Sequence, residues 1–163
     1  MTSEIRDAEP GDYDALVLLN NAAVPAVNAL TAADFSAFAE QADLFRVIGP
    51  KGAPDALLIA LQPGRRYDSQ NYRWFERTYD RFLYVDRVVV SASRRGEGLG
   101  AVLYDDFAAA GLRLGVERLT CEVNLDPPNP GSMRFHERLG FRPVGTQEAG
   151  SKRVQMLVRE LSA

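Results

Sequence analysis

The residues best suited to chemistry are a basic glycine run, Arg94-Arg95-Gly96-Glu97-Gly98-Leu99-Gly100, and the chain's only histidine, His136. Glycine has no Cβ, so a glycine turn lets the backbone come close to a ligand. A helix that begins in such a turn aims N–H groups without intrahelical acceptors at that ligand, and its dipole favours an anion. The paired arginines add fixed positive charge. The chemistry implied is the holding of a phosphorylated group. The commoner phosphate loops do not fit. A P-loop requires GxxxxGK followed by Ser or Thr, and the run has no lysine. A dinucleotide site requires GxGxxG after the first strand, whereas Gly96-x-Gly98-x-Gly100 has another spacing and lies in mid-chain. A tight structural turn is the plain alternative.

The elements that must position this run are a strand before it and a helix after it. Phe82 to Val90 carries the β-branched residues Val85, Val88, Val89 and Val90, which suit a strand. After the turn, apolar residues at 99, 103, 107, 110 and 114 recur in steps of four and three, one buried helical stripe. His136 belongs to a second helix, Ser132 to Leu139, stopped by Gly140. On that helix Ser132, Phe135, His136 and Leu139 share one arc, with Arg134, Glu137 and Arg138 opposite, so His136 faces inward.

The remaining chain predicts a strand at Glu4–Asp7 and a helix from Tyr13 to Ala23. A second helix follows Thr31 as N-cap, with Asp34 in a capping-box position. Strands are expected at Leu44–Ile48 and Ala56–Leu61, the second nearly all apolar and so central. Arg118–Val123 is a further strand, and Phe141–Thr146 with Val154–Glu160 a closing pair. The stretch Pro63–Tyr79 has no clean period. It holds Tyr72, the only tryptophan (Trp74) and four arginines, and reads either as a recognition lip for a substrate or as a loop with a short helix capping the core. The order βααβββαβαββ points to an α/β sheet with helices on both faces.

At 163 residues the chain is expected to form a single domain with a real core. A net charge of −3 argues against nucleic-acid partners, and no apolar run reaches the roughly 20 residues of a membrane helix. An acidic, polar start does not read as a secretory signal, so a cytoplasmic location is expected. One cysteine, Cys121, excludes an intramolecular disulfide and a cysteine-built zinc site, and it reads as a buried structural thiol.

In sequence, Arg95-Gly96-Glu97-Gly98-Leu99-Gly100 resembles the (Gln/Arg)-x-x-Gly-x-(Gly/Ala) signature of the GNAT superfamily of acyl-CoA-dependent N-acyltransferases. About thirty residues on, Asn129 to Phe141 (NPGSMRFHERLGF) is similar to that family's Asn-x-x-(Ala/Ser)-x-x-x-Tyr-x-x-x-Gly-Phe segment. The resemblance implies a mixed, largely antiparallel sheet with a splayed central parallel pair. It implies acetyl-CoA, or another acyl-CoA, as co-substrate, with no metal. Val88 and Val90 would offer backbone groups to the pantetheine arm, and the amides of Arg95, Gly96, Glu97, Gly98, Leu99 and Gly100 would take the pyrophosphate. Asn129 would bond the arm, with Ser132 one turn later.

The implied reaction moves an acyl group, foremost acetyl, to a primary amine of a small molecule or peptide by direct attack in a ternary complex. Two proton transfers are needed, one from the ammonium and one to the leaving thiolate. His136 stands where the family commonly keeps a tyrosine that protonates the thiolate; a core histidine with a satisfied ring is the alternative. The base candidates are Asp86, which shares strand parity with Tyr84, Val88 and Val90, and Glu122 on the next strand. Tyr84 occupies a place where some members keep a glutamate, and with Tyr72 and Trp74 it is a substrate candidate. Asp86 can instead pair with Arg87 or Arg81, and a water relay can replace a direct base. The histidine gives weight to a second reading, a non-catalytic acyl-CoA sensor. The edge of the closing strand pair could support a homodimer.

Overall fold

The computed structural model describes residues 5–161, so Glu4, the expected head of the first strand, lies outside the described residues. The strands are β1 (Ile5–Asp7), β2 (Leu44–Ile48), β3 (Ala56–Leu61), β4 (Phe82–Val90), β5 (Arg118–Asp126), β6 (Arg142–Ala149) and β7 (Lys152–Glu160). The helices are α1 (Tyr13–Asn21), α2 (Ala32–Gln41), α3 (Gln70–Thr78), α4 (Leu99–Leu114) and α5 (Pro130–Arg138), with single 3-10 turns at Pro10–Asp12 and Ala92–Arg94. The strands follow the hydrogen-bonded order β1-β2-β3-β4-β5-β7-β6. Pairing is antiparallel for β1–β2, β2–β3, β5–β7 and β6–β7, and parallel for β4–β5, which is three residue pairs long in strands of nine. The expected mixed, largely antiparallel sheet is present. The helix α3 is an element that the order read from the sequence lacked.

The chain forms two compact units. The first comprises residues up to Leu61 together with Val85–Ala110, the second Gln62–Tyr84 together with residues from Gly111 onward. In the first, β3 is buried along its whole length, as its unbroken apolar run requires. Tyr13, Phe35 and Phe45 stack with ring centroids 6.0 to 6.3 Å apart. The helix α2 starts where the sequence places it: Thr31 Oγ1 accepts from the Asp34 N–H, and the Asp34 carboxylate accepts from the Thr31 N–H.

A buried carboxylate ties the start of this unit together. Asp12, 1% exposed, accepts two bonds of 2.8 Å from the Arg6 guanidinium and one each from the N–H groups of Glu9 and Gly52. Arg6, helped by those two amides and against the desolvation that burial imposes, lowers the Asp12 pKa from 3.8 to about 2. A depressed carboxylate pKa adds stability that is present above the unfolded value and lost as pH falls toward the folded one. At 1.36 kcal/mol per unit this is about 2 kcal/mol. Asp12→Asn is expected to cost about that much in denaturant unfolding at pH 7, with the gap to wild type closing between pH 4 and pH 2.

In the second unit, β5 is paired along its length with β7, from Arg118 opposite Glu160 to Asn124 opposite Val154. The helix α3 covers part of this unit with Tyr72 and Phe75, both fully buried, and Ser69 caps it by accepting from the Tyr72 N–H. Phe82 and Tyr84 of β4 meet those rings at 5.6 to 6.2 Å.

Candidate functional site

In the first unit the glycine turn has the geometry of an anion cradle. The chain leaves β4 at Val90, and the Ser91 N–H donates to the Asp55 carbonyl at 2.7 Å. Gly96 and Gly98 have φ of +85° and +80°, the left-handed region that glycine enters without steric cost. A Cβ added at either would meet nothing within 4 Å, so backbone conformation, not packing, requires glycine here. The Val102 N–H donates to the Gly98 carbonyl at 3.1 Å, opening the helical ladder. The amides of Leu99, Gly100 and Ala101 therefore begin α4 without intrahelical acceptors, at the positive end of a 16-residue helix. Buried Leu99 anchors that start.

The two arginines do different work. Arg94 donates to Asp55 Oδ2 at 2.9 Å and to Glu97 Oε1 at 3.0 Å, so its charge is balanced by carboxylates and it holds the turn in place. Arg95 is exposed and, among the described residues, enters no ion pair. Only Arg95 is left to add positive charge for a ligand. Val88 and Val90 lie on the half-buried face of β4, alternating with buried Arg87 and Val89.

Asp86 is held in an ion pair. Its Oδ2 accepts from Arg87 Nε at 2.8 Å, and the two side chains are 5% and 4% exposed. Arg87 also donates to Asn20 Oδ1, the Asn28 carbonyl and Asn28 Oδ1 at 2.6 to 3.2 Å. The pairing of Asp86 with Arg87 that the sequence allowed is formed. The residues Asn20 and Asn28, which complete this cluster, carried no signal in the sequence, because they reach Arg87 across more than fifty positions of chain.

The second unit brings Tyr84 and Glu122 together. Tyr84 Oη donates to Glu122 Oε1 at 2.5 Å. Their strands are parallel here, with Tyr84 opposite Thr120, so Glu122 two residues on presents its side chain on the same face. Thr120 is fully buried, and among the described residues its Oγ1 has no hydrogen-bond partner. The sequence nominated Tyr84 and Glu122 separately; the strand register that makes them a pair is not written in either segment.

Asn129 caps α5: its Oδ1 accepts from the Ser132 N–H at 3.3 Å, with Pro130 at the first helical position. The cap uses Asn129 Oδ1 and not the amide nitrogen of that side chain. His136 is buried, its ring edge-on to Phe135 and Phe141. Its Nδ1 lies 2.7 Å from the Ser132 carbonyl oxygen, and burial lowers its pKa below 6.5 while that carbonyl pulls upward.

The two lip residues are packed. Tyr72, a substrate candidate in the sequence, is 0% exposed; its Oη donates to the Gln62 carbonyl and accepts from the Arg65 N–H. Trp74 is half-buried against β6, where a Cβ at Gly145 would lie 2.7 Å from its ring. The stretch Pro63–Tyr79 contains the short helix α3, and its Tyr72 and Phe75 are buried. Among the described residues no three or more His, Cys, Asp or Glu side chains gather to hold a metal ion, and no helix is long and apolar enough to cross a membrane.

The acetyltransferase (GNAT) family model matches residues 68–141, a span that holds the glycine turn, Glu122 and α5. No curated protein matches the chain in sequence. Solved structures share its fold. Ard1 from Thermoplasma volcanium superposes with a TM-score of 0.79 at 16% identity, covering 100% of both chains. The ribosomal-protein-S18-alanine N-acetyltransferase from Escherichia coli gives 0.73 at 16% identity, over 99% of this chain and 96% of that one. A phosphinothricin acetyltransferase from Sinorhizobium meliloti, in complex with acetyl-CoA, gives 0.73 at 20% identity, over 99% and 89%.

Proposed function

We infer, from a family match that spans the glycine turn through α5 and from the shared fold, that this chain is a GNAT-type, acetyl-CoA-dependent N-acetyltransferase. The observation that carries the cofactor assignment is the head of α4. Left-handed Gly96 and Gly98 open a backbone cradle, and the amides of Leu99, Gly100 and Ala101 follow with no intrahelical acceptors. The residues fit a pyrophosphate. Arg95 through Gly100 would hold it and the backbone of Val88 and Val90 would pair with the pantetheine arm; Asn129 and Ser132 are proposed as cofactor contacts on the resemblance of their segment to the family's alone.

Acetyl passes directly to a primary amine in a ternary complex. Structures of this fold carry names that specify a ribosomal-protein alanine and phosphinothricin as acceptors, so the acceptor class proposed is a small-molecule or peptide amine. Glu122 is the base that takes the proton of the incoming ammonium, directly or through a water, with Tyr84 orienting its carboxylate. Asp86 is set aside for this role because a buried guanidinium already engages it. Tyr84 and the exposed part of Trp74 are the residues proposed near the acceptor.

The test is thiol release from acetyl-CoA with a panel of primary amines and N-terminal peptides, alongside direct measurement of acetyl-CoA binding. Amine-dependent release is expected from wild type. Gly98→Val is expected to stay folded, because the space beside Gly98 is open, yet to weaken acetyl-CoA binding tenfold or more by straining the left-handed turn. Tight acetyl-CoA binding with no release for any amine would make the protein an acyl-CoA sensor instead.

A further inference from the structure

Asp55, Arg94 and Glu97 form a chain of ion pairs beside the glycine turn, with a fixed end and a free end. Asp55 is the fixed end. Its N–H donates to the Ile48 carbonyl at 2.7 Å, and its own carbonyl accepts from the Ser91 N–H at 2.7 Å. It packs so closely over Gly49 that a Cβ there would lie 2.8 Å from the Asp55 nitrogen. From this anchor Asp55 Oδ2 accepts from Arg94 Nη1 at 2.9 Å. The other edge of the guanidinium, Nε and Nη2, donates to Glu97 Oε1 at 3.2 and 3.0 Å. That contact closes a ring over Arg95 and Gly96, where left-handed Gly96 turns the chain back. Glu97 is the free end: its side chain is 49% exposed, against 26% for Arg94 and 29% for Asp55.

We propose that Arg94 is a positioning residue for acyl-CoA binding: it holds the Glu97 carboxylate out of the anion cradle and so keeps the amides of Leu99, Gly100 and Ala101 for the pyrophosphate. The inference rests on the cofactor reading above. Glu97 stands two residues before the first residue of α4, at the positive end of the helix. An acidic side chain at that place is drawn to the same N–H groups that would take a phosphate, as capping carboxylates are. Left to itself it would compete with the ligand as an internal anion and repel it as a like charge. Paired with Arg94 it does neither.

The fork of the guanidinium suits this task. Each of its three nitrogens meets a carboxylate oxygen, so the side chain serves the turn and not a ligand. An ammonium on a flexible stem has no planar fork with which to grip Asp55 from one edge and Glu97 from the other. The charges of Asp55, Arg94, Arg95 and Glu97 sum to zero; without Arg94 the same turn would offer one net negative charge to an anionic ligand. The turn therefore needs both arginines. Arg94 cancels the acid of the loop, and Arg95 is left to face the phosphate.

Titration calorimetry with acetyl-CoA on the full chain tests this through a double-mutant cycle. Arg94→Met is expected to weaken binding about tenfold or more, because it releases a charged acceptor beside the cradle. Adding Glu97→Gln to that variant should bring binding back to within about fivefold of wild type, the scale of an exposed ion pair. The same Glu97→Gln change in the wild-type background should gain much less, since Arg94 already holds the charge. Arg94→Lys should fall between wild type and Arg94→Met, and it carries the same cycle at smaller amplitude should Arg94→Met melt below the assay temperature. In steady-state thiol release the Arg94→Met loss should appear in KM for acetyl-CoA, with kcat at saturating cofactor within about twofold of wild type. A loss of affinity that Glu97→Gln does not relieve would make Arg94 a phosphate ligand or a prop of the fold, and would overturn the proposal. Wild-type affinity in Arg94→Met, or a fall in kcat with KM unmoved, would overturn it too. Wild type that binds no acetyl-CoA removes the cofactor reading and this proposal together, whereas tight wild-type binding with no coupling between Arg94 and Glu97 removes this proposal alone.

Discussion

Glu122→Gln is expected to lower turnover by about 10²- to 10⁴-fold while acetyl-CoA binding stays near wild type. The size of the effect follows from the role proposed for the carboxylate. An alkyl ammonium with a pKa like that of lysine, about 10.4, is almost wholly protonated at pH 7, and its nitrogen has no lone pair to attack with. A base held in the site supplies the neutral amine there. Gln matches Glu in size, and its amide oxygen can still accept from Tyr84 Oη, so the contact joining β4 to β5 persists and the fold is preserved. What disappears is the negative charge and the capacity to accept a proton. Acetyl-CoA binding is the control, because its proposed contacts lie in the glycine turn, on β4 and at Asn129. Raising the pH supplies free amine from solution, so the deficit of the variant should shrink as pH rises toward the amine's own pKa. Steady-state thiol release over a pH series checks both statements. A variant with wild-type turnover at pH 7 would return the role of base to water or to Asp86.

The parts of this chain that were legible in sequence are those whose signal is local. A β-branched run, a glycine turn and a strict apolar stripe stand next to one another from Phe82 to Leu114, and each is fixed by its own residues. The Thr31–Asp34 capping box is equally local, since donor and acceptor are three residues apart. The short helix offered as one reading of Pro63–Tyr79 had no sharp bounds, because only Tyr72 and Phe75 are buried in the nine residues of α3. Two positions in a run of Gln, Asn, Arg and Glu do not make a readable period. The charge balance of the arginine pair in the turn is hidden for another reason. Charge is visible in a sequence, but its neutralisation by Asp55, thirty-nine residues earlier, is not. Long-range register likewise hid the Tyr84–Glu122 pair and the orphaned hydroxyl of Thr120. The contact of His136 Nδ1 with the carbonyl oxygen of Ser132 lies within a helix that could be read, yet the rotamer that makes it could not.

Arg87→Met is expected to destabilise the protein by about 3–5 kcal/mol, because it leaves Asp86 as a buried charge without its cation. Arg87 is 6% exposed, and its guanidinium joins Asp86 to Asn20 of α1 and to Asn28 in the connection that follows. Losing it strands one carboxylate and removes donors from three further acceptors. At roughly 2–4 °C per kcal/mol for a chain of this size, the melting temperature should drop by about 10 °C. Asp86→Asn strands the guanidinium instead, although the amide oxygen can still accept from Nε, so its cost should be the smaller of the two. The double variant Asp86→Leu with Arg87→Met removes both charges and should recover much of the loss, since an apolar pair of similar volume often replaces a buried ion pair at little cost. The same series decides whether Asp86 takes part in chemistry. An ion-paired structural carboxylate predicts that Asp86→Asn, assayed well below its melting temperature and per mole of folded protein, keeps near wild-type kcat with Glu122 intact. A catalytic Asp86 predicts a loss of kcat at every temperature, including those where the variant is fully folded. Melting curves and turnover measured on the same samples separate the two, because stability and chemistry then fall on different axes of one experiment.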